Sequence, residues 1–203
     1  MHDTAPLFDA RLIVVDDNRN FQILMRTMLR HLGFRHVEVF ADPGEALSHV
    51  VDNAVDLALV DLFMPGIDGL QWVRRVRRLA GVANPDMGVI MVTGHAVRRI
   101  VVEAVAAGVD AVLVKPLSPD ILMRHMRQVL TTRPAYVRRA GGYWGPDATA
   151  TLARLRGDVV PVAPAPVIEH VPAAAERGRR SLPGLDVEIV DRNRYHADAL
   201  YLD

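Results

Sequence analysis

The chain of 203 residues has no cysteine. Disulfides and thiolate metal sites are thereby excluded, and a reducing compartment fits. It also lacks an excess of charge: 24 basic side chains stand against 24 acidic ones. There is thus no global pull towards nucleic acid or an anionic membrane. No apolar run reaches the roughly 18 residues that a spanning helix needs. The opening stretch, Met1–Val15, has neither the basic start nor the long apolar segment of a secretory leader. The expected location is the cytoplasm. Lysine is nearly missing as well: 23 arginines accompany one lysine, Lys115. Either chance left lysine there, or position 115 needs a compact ammonium rather than a planar fork.

What is present is a repeated alternation. Short runs rich in Val, Ile and Leu occur at 12–15, 37–40, 57–60, 89–92 and 111–114. Each predicts a strand buried on both faces. Helical spacing lies between them. Phe21, Leu24, Met28, Leu29 and Leu32 recur on one stripe that Gly33 stops. Asp42, Pro43 and Glu45 predict a helix start. Val73, Val76, Leu79 and Ala80 mark a third helix. Ile100, Val101, Ala104 and Val105 mark a fourth, ended by Gly108, and Ser118-Pro119-Asp120 opens a fifth. Five strand–helix units in series predict an α/β fold: a five-stranded parallel, doubly wound sheet with helices on both faces.

Beyond residue 131 the periodicity fades. The run 159–167, rich in Pro, Val and Ala, predicts a semi-extended linker. Residues 185–190 suggest one strand and 196–202 a turn or two of helix. The domain division expected is 10–131 for the α/β domain and 132–203 for an irregular extension. The extension has too few periodic apolar positions for a core of its own.

In such a sheet, ligands sit beyond the C-terminal strand ends, where the strand order switches. Asp16 and Asp17 follow the first strand, Asp61 the third, Thr93 the fourth and Lys115 the fifth. Strand ends are turns, and turns favour Asp and Thr, which accounts for one or two of these. It does not account for all of them on one rim. Three crowded carboxylates raise one another's pKa, and a hard cation such as Mg²⁺ relieves that repulsion. An aspartate is a competent phosphoryl acceptor. Lys115 can pair with a phosphoryl oxygen as a point charge, and Thr93 can bond another.

Asp16-Asp17, Asp61-Leu62-Phe63-Met64-Pro65-Gly66-Ile67-Asp68-Gly69, Thr93-Gly94 and Lys115-Pro116, in that order, resemble the receiver domain of two-component response regulators. The resemblance covers roughly residues 10–130. It implies a flavodoxin-like fold, with Asp61 as phosphoacceptor and Asp16, Asp17, Asp61 and the backbone carbonyl of Phe63 serving Mg²⁺. Thr93 is then the switch hydroxyl and Lys115 the phosphate-pairing ammonium. The implied partner is a sensor histidine kinase or a phosphotransfer protein. Receivers usually carry Tyr or Phe three residues before the lysine, where this chain has Val112. That departure puts the usual coupling of Thr93 to a rotating ring in question.

The fourth helix has more apolar positions than one buried face requires, with Val97 and Val102 in addition. In receivers its surface, with the fifth strand and fifth helix, often meets partners or a second copy, so a homodimer through that face is an expectation. Arg74, Arg75, Arg77 and Arg78 are expected on a solvated helix face. Phe63 and His95 are expected to flank the approach of hydrolytic water, with slow self-dephosphorylation as the result. The segment Tyr136–Asp147 weakly resembles extensions after some stand-alone bacterial receivers. Its Tyr143 and Trp144 are candidates for docking the tail. A receiver that acts by protein contact, without an enzymatic activity, is the leading class. The alternatives are a transcriptional regulator with an unrecognised C-terminal output segment, and a phosphatase of similar fold. The Pro-broken tail supplies no helix-turn-helix, so nucleic acid is not the expected partner. A chain ending near Arg133 is expected to keep the whole core.

Overall fold

The computed structural model describes residues 7–79, 81–94, 97–132 and 135–158, with side chains to 155. After a turn of 3-10 helix at Leu7–Asp9 come β1 (Arg11–Val15), α1 (Arg19–His31), β2 (His36–Phe40) and α2 (Pro43–Asp52). Next are β3 (Leu57–Asp61), α3 (Gly69–Val76), β4 (Gly88–Thr93) and α4 (Arg98–Ala107), then β5 (Ala111–Val114) and α5 (Pro119–Thr131). The described chain ends with β6 (Tyr136–Arg139), β7 (Tyr143–Pro146) and α6 (Ala148–Asp158). The first five strands form one sheet in the order β2-β1-β3-β4-β5, and every pairing is parallel. Each expected strand is found to within one residue at either end.

Alternate strand residues feed two core layers, as the two-residue period of a strand demands. Ile13, Val15, Ala58, Val60, Val89 and Met91 face Trp72, Val73 and Ala104 on the side of α2, α3 and α4. Leu12, Val14, Leu57, Leu59, Ile90 and Val92 face Met25 and Leu29 of α1 and Leu122 and Met126 of α5. Each buried Leu, Ile or Met contributes about 1.5–3 kcal/mol. Trp72 is fully buried, and its indole N–H donates to the Pro43 carbonyl at 3.0 Å, tying α3 to α2.

Helix starts follow their capping residues. The Asn18 side chain accepts from Asn20 and Phe21, Asp42 from Gly44 and Glu45, Asp68 from Gln71, and Ser118 from Ile121. α4 differs, because Val97 offers its first turn no side-chain cap. Its end is conventional: Gly108 has φ +105°, a conformation that favours glycine.

Three expectations need correction. The third helix stops at Val76, and Leu79 lies beyond it, exposed. Arg77 is not on a solvated face. It follows Val73 by four residues, which carries it onto the apolar stripe, and it is 2% exposed. Part of the extension is also regular: β6 and β7 pair antiparallel into a hairpin, and α6 follows it beside α4. The suggested elements at 185–190 and 196–202, the linker at 159–167, and Ala80 and His95 lie outside the described residues.

Candidate functional site

Register builds the site. Val15 pairs with Val60, so Asp16 and Asp61 leave adjacent strands side by side at the C-terminal edge. β1 and β3 are the strands where the chain reverses direction across the sheet, the expected ligand crevice. Asp61 pairs with Val92 and Thr93 with Val114, which brings Thr93 and Lys115 to the same edge. The Lys115 amide donates to the Thr93 carbonyl at 2.8 Å.

The Lys115 ammonium joins the two acids. Nζ donates to Asp16 Oδ2 at 2.8 Å and to Asp61 Oδ1 at 2.7 Å. The remaining carboxylate oxygens take backbone donors: Asn18 N–H to Asp16 Oδ1 and Phe63 N–H to Asp61 Oδ2, both at 2.8 Å. A third group meets the lysine that sequence alone does not reveal. The Phe21 ring lies with its centroid 3.8 Å from Nζ, within cation–π range. Phe21 is visible beforehand only as an apolar position on α1. Asn18 does double duty, capping α1 through its side chain and holding Asp16 through its amide.

Burial and charge pull in opposite senses here. Desolvation pushes the Asp16 carboxyl above its ordinary pKa, against the hydrogen bond from Lys115. Burial also works against the Lys115 ammonium, but the hydrogen bonds to Asp16 and Asp61 together hold its pKa above the usual lysine value. The ammonium is therefore held in its charged form, while burial eases protonation of Asp16. Gly69 is required by close approach. A Cβ there would collide with the Asp61 carbonyl oxygen.

The three carboxylates singled out in the sequence differ in their surroundings. Asp16 and Asp61 flank Lys115, while Asp17 is exposed. Among the described residues no three acidic or imidazole groups are arranged to hold a metal. The donors nonetheless fit a hard cation in kind, since two carboxylates line the crevice and a cationic group already stands between them. Thr93 is fully buried at the end of β4, and the Phe63 side chain is 60% exposed beside Asp61. Val112 is half-buried against the α2–α4 layer.

A second charged cluster, at the opposite edge of the sheet, escapes sequence reasoning. Arg77 donates through Nε to the Gly108 carbonyl at 3.0 Å, through Nη1 to the Met87 carbonyl at 2.7 Å and through Nη2 to Asp110 at 3.1 Å. Asp110 also accepts from the Val89 amide and from the Tyr136 hydroxyl. Tyr136 thereby joins the hairpin to the sheet. Trp144 adds two bonds, its amide to the Arg77 carbonyl and its indole N–H to Asp86, both at 2.8 Å. Of the two docking candidates, Trp144 makes these direct bonds, and Tyr143 is buried with its hydroxyl on the Pro146 carbonyl.

The family model for the response regulator receiver domain matches residues 12–127. The chain is 39% identical over 127 residues to a cyclic di-GMP phosphodiesterase response regulator of Xanthomonas campestris, covering 60% of this chain and 32% of that one. It spans, in other words, about a third of that relative's length. It is 30% identical over 119 residues to the chemotaxis protein CheY of Pseudomonas aeruginosa, covering 59% of this chain and 94% of that one. Among solved structures it is similar to a CheY-like receiver domain protein of Methanospirillum hungatei, with TM-score 0.55 and 30% identity over 60% of this chain and 94% of that one. It is also similar to the receiver domain of a sensor histidine kinase from Pseudomonas aeruginosa, solved with a magnesium ion coordinated in its active site cleft. There the TM-score is 0.55 and the identity 26%, over 61% of this chain and 99% of that one.

Proposed function

Because this chain belongs to the response regulator receiver domain family, we propose that it is a phosphoacceptor response regulator in which Asp61 takes a phosphoryl group from a histidine kinase or phosphotransfer protein. One observation carries the assignment: the ammonium of Lys115 is shared between Asp16 and Asp61 at the strand ends. Phosphoryl transfer needs positioned charge more than covalent help from the protein. An Asp61 oxygen attacks phosphorus, an O–P bond forms, and the bond from phosphorus to the donor's imidazole nitrogen breaks. Lys115 then exchanges the Asp61 oxygen for a phosphoryl oxygen, and the Thr93 hydroxyl reports the new group. Asp16, Asp17, Asp61 and the Phe63 carbonyl would hold a magnesium ion, which offsets phosphoryl charge when bound.

In this reading the protein accepts one phosphoryl group, loses it slowly and turns over no other substrate. It works in the cytoplasm, and no helix among the described residues is long and apolar enough to cross a membrane. Output is by protein contact. The described part of the tail supports this choice, being a hairpin and one helix rather than a helix-turn-helix. The working unit extends past 131 to include that hairpin and helix, since Tyr136 and Trp144 bond to the receiver. The test is acetyl phosphate labelling with Mg²⁺, read by intact mass. The native chain should gain one phosphoryl group and Asp61→Asn none. Undiminished labelling of Asp61→Asn sinks the assignment.

A further inference from the structure

The docked tail has two halves that are held very differently. The hairpin is bonded to the receiver at two residues, Tyr136 to Met87 and Asp110 and Trp144 to Arg77 and Asp86. α6 packs beside α4 and buries Thr151 and Leu155, but its polar groups fare poorly. Thr151 Oγ1 and Arg154 Nε and Nη1 are buried with no hydrogen-bond partner among the described residues. Only Arg154 Nη2 finds one, the Asp110 carbonyl. Buried donors left unpaired lose their water without compensation. Undocking α6 would return all three atoms to solvent and break one bond, whereas undocking the hairpin would break several and free no unpaired group.

α4, against which α6 lies, is anchored unevenly. Its C-terminal end is held by the bond from Arg77 Nε to the Gly108 carbonyl. Its N-terminal end starts at Arg98, shortly after Thr93, and has no side-chain cap. A displacement arriving from Thr93 would therefore meet α4 at its uncapped end rather than at its anchored one.

We propose that α6 is a releasable latch covering α4, and that phosphorylation of Asp61 undocks it while the hairpin stays in place. The proposal rests on the reading of Asp61 as phosphoacceptor. Coupling between two sites typically amounts to roughly 5- to 150-fold in an equilibrium, and a contact burdened with three unpaired polar atoms lies within that reach.

Hydrogen exchange on the full chain, with and without acetyl phosphate and Mg²⁺, tests this, with intact mass measured on the same samples. Amides of 148–158 should exchange at least about fivefold faster in the phosphorylated chain, and those of 136–146 should not change. A chain that gains phosphoryl mass but keeps its α6 exchange overturns the latch. Equal acceleration of hairpin and α6 overturns the division between them. A chain that gains no mass overturns the phosphoacceptor reading and phosphoryl control with it. The latch itself is then decided by Thr151→Val, which removes an orphaned hydroxyl at similar volume and similar helix propensity. In the unphosphorylated chain this variant should slow α6 exchange roughly fivefold; unchanged or faster exchange refutes a latch weakened by unpaired polar groups.

Discussion

The two edges of the sheet each hold a cation between buried acceptors, and they use different cations. At the C-terminal edge Lys115 joins Asp16 and Asp61 with its side chain 24% exposed. At the N-terminal edge Arg77 joins Asp110 and two carbonyls with 1% and 0% exposure for the pair. The guanidinium is a rigid fork, and here Nε, Nη1 and Nη2 are each committed to a different acceptor. It serves where nothing should move. The ammonium is a compact charge on a flexible stem, partly wet and able to trade one oxygen for another. A chain with 23 arginines keeps its one lysine at the edge where, in the proposed function, the acceptor changes identity.

Removing each cation should separate these roles. Arg77→Leu leaves Asp110 buried without its counter-charge, and the loss should be about 3–5 kcal/mol in urea unfolding. Arg77→Lys should recover little of it, because one ammonium cannot reach three diverging acceptors. A loss below about 1 kcal/mol in Arg77→Leu would show that Tyr136 and the backbone suffice to hold that edge.

Ending the chain at Thr132 keeps Arg77 and Asp110 but strips the Tyr136 hydroxyl, Trp144 and α6 from them. The sequence alone predicts an undisturbed core. The bonds of Tyr136 and Trp144 and the burial of Tyr143 and Leu155 predict a loss of about 2–4 kcal/mol. Chemical denaturation of the shortened and full chains decides between the two.

Alkaline titration offers a finer contrast. Burial raises the Tyr143 pKa above 10.0, with nearby Arg77 and Arg139 opposing it. The folded state therefore favours the neutral phenol, and that contribution is present below pH 10 and lost as pH rises through the raised value. The raised pKa of Lys115 has the same sense, its stabilisation fading above 10.5. Stability should fall as pH rises above about 10. Tyr143→Phe should cost about 1 kcal/mol near neutrality, from the lost bond to Pro146, and should flatten the alkaline decline. An unaltered decline would assign it to Lys115 instead.

The smallest effect on stability is expected at the chemical edge. Lys115→Arg keeps the charge and should change unfolding by less than about 1 kcal/mol. Its rate of labelling by acetyl phosphate should nonetheless fall about tenfold. A large stability loss with normal labelling would reverse the roles given to the two cations.

How much of this is legible in sequence depends on how local the signal is. The five strands are short apolar runs between turn residues, so each declares itself, and Asp16, Asp61, Thr93 and Lys115 are found by where those runs end. Phe21 is hidden because its contact with Lys115 joins the first helix to the end of the last strand of the sheet. Arg77 is hidden because periodicity treats any arginine as solvated, and only the buried Asp110 reverses that. The hairpin does have a local sign. Gly141 and Gly142 both take positive φ between two short strands, and a Gly-Gly pair there is a turn signal. It is obscured by the proline-rich composition that follows.

The isolation of Lys115 has a practical side for chemistry on the molecule. Guanidinium groups resist mild acylation, whereas an amine reacts through its unprotonated form. The chain thus offers one side-chain amine, enclosed by two carboxylates and the Phe21 ring. A single added acyl mass on a side chain reads out that enclosure. It should be slow to appear while the carboxylates hold the ammonium charged, because the raised pKa leaves little free amine. Its rate is then a reporter, intrinsic to the native sequence, of what Asp16 and Asp61 are doing.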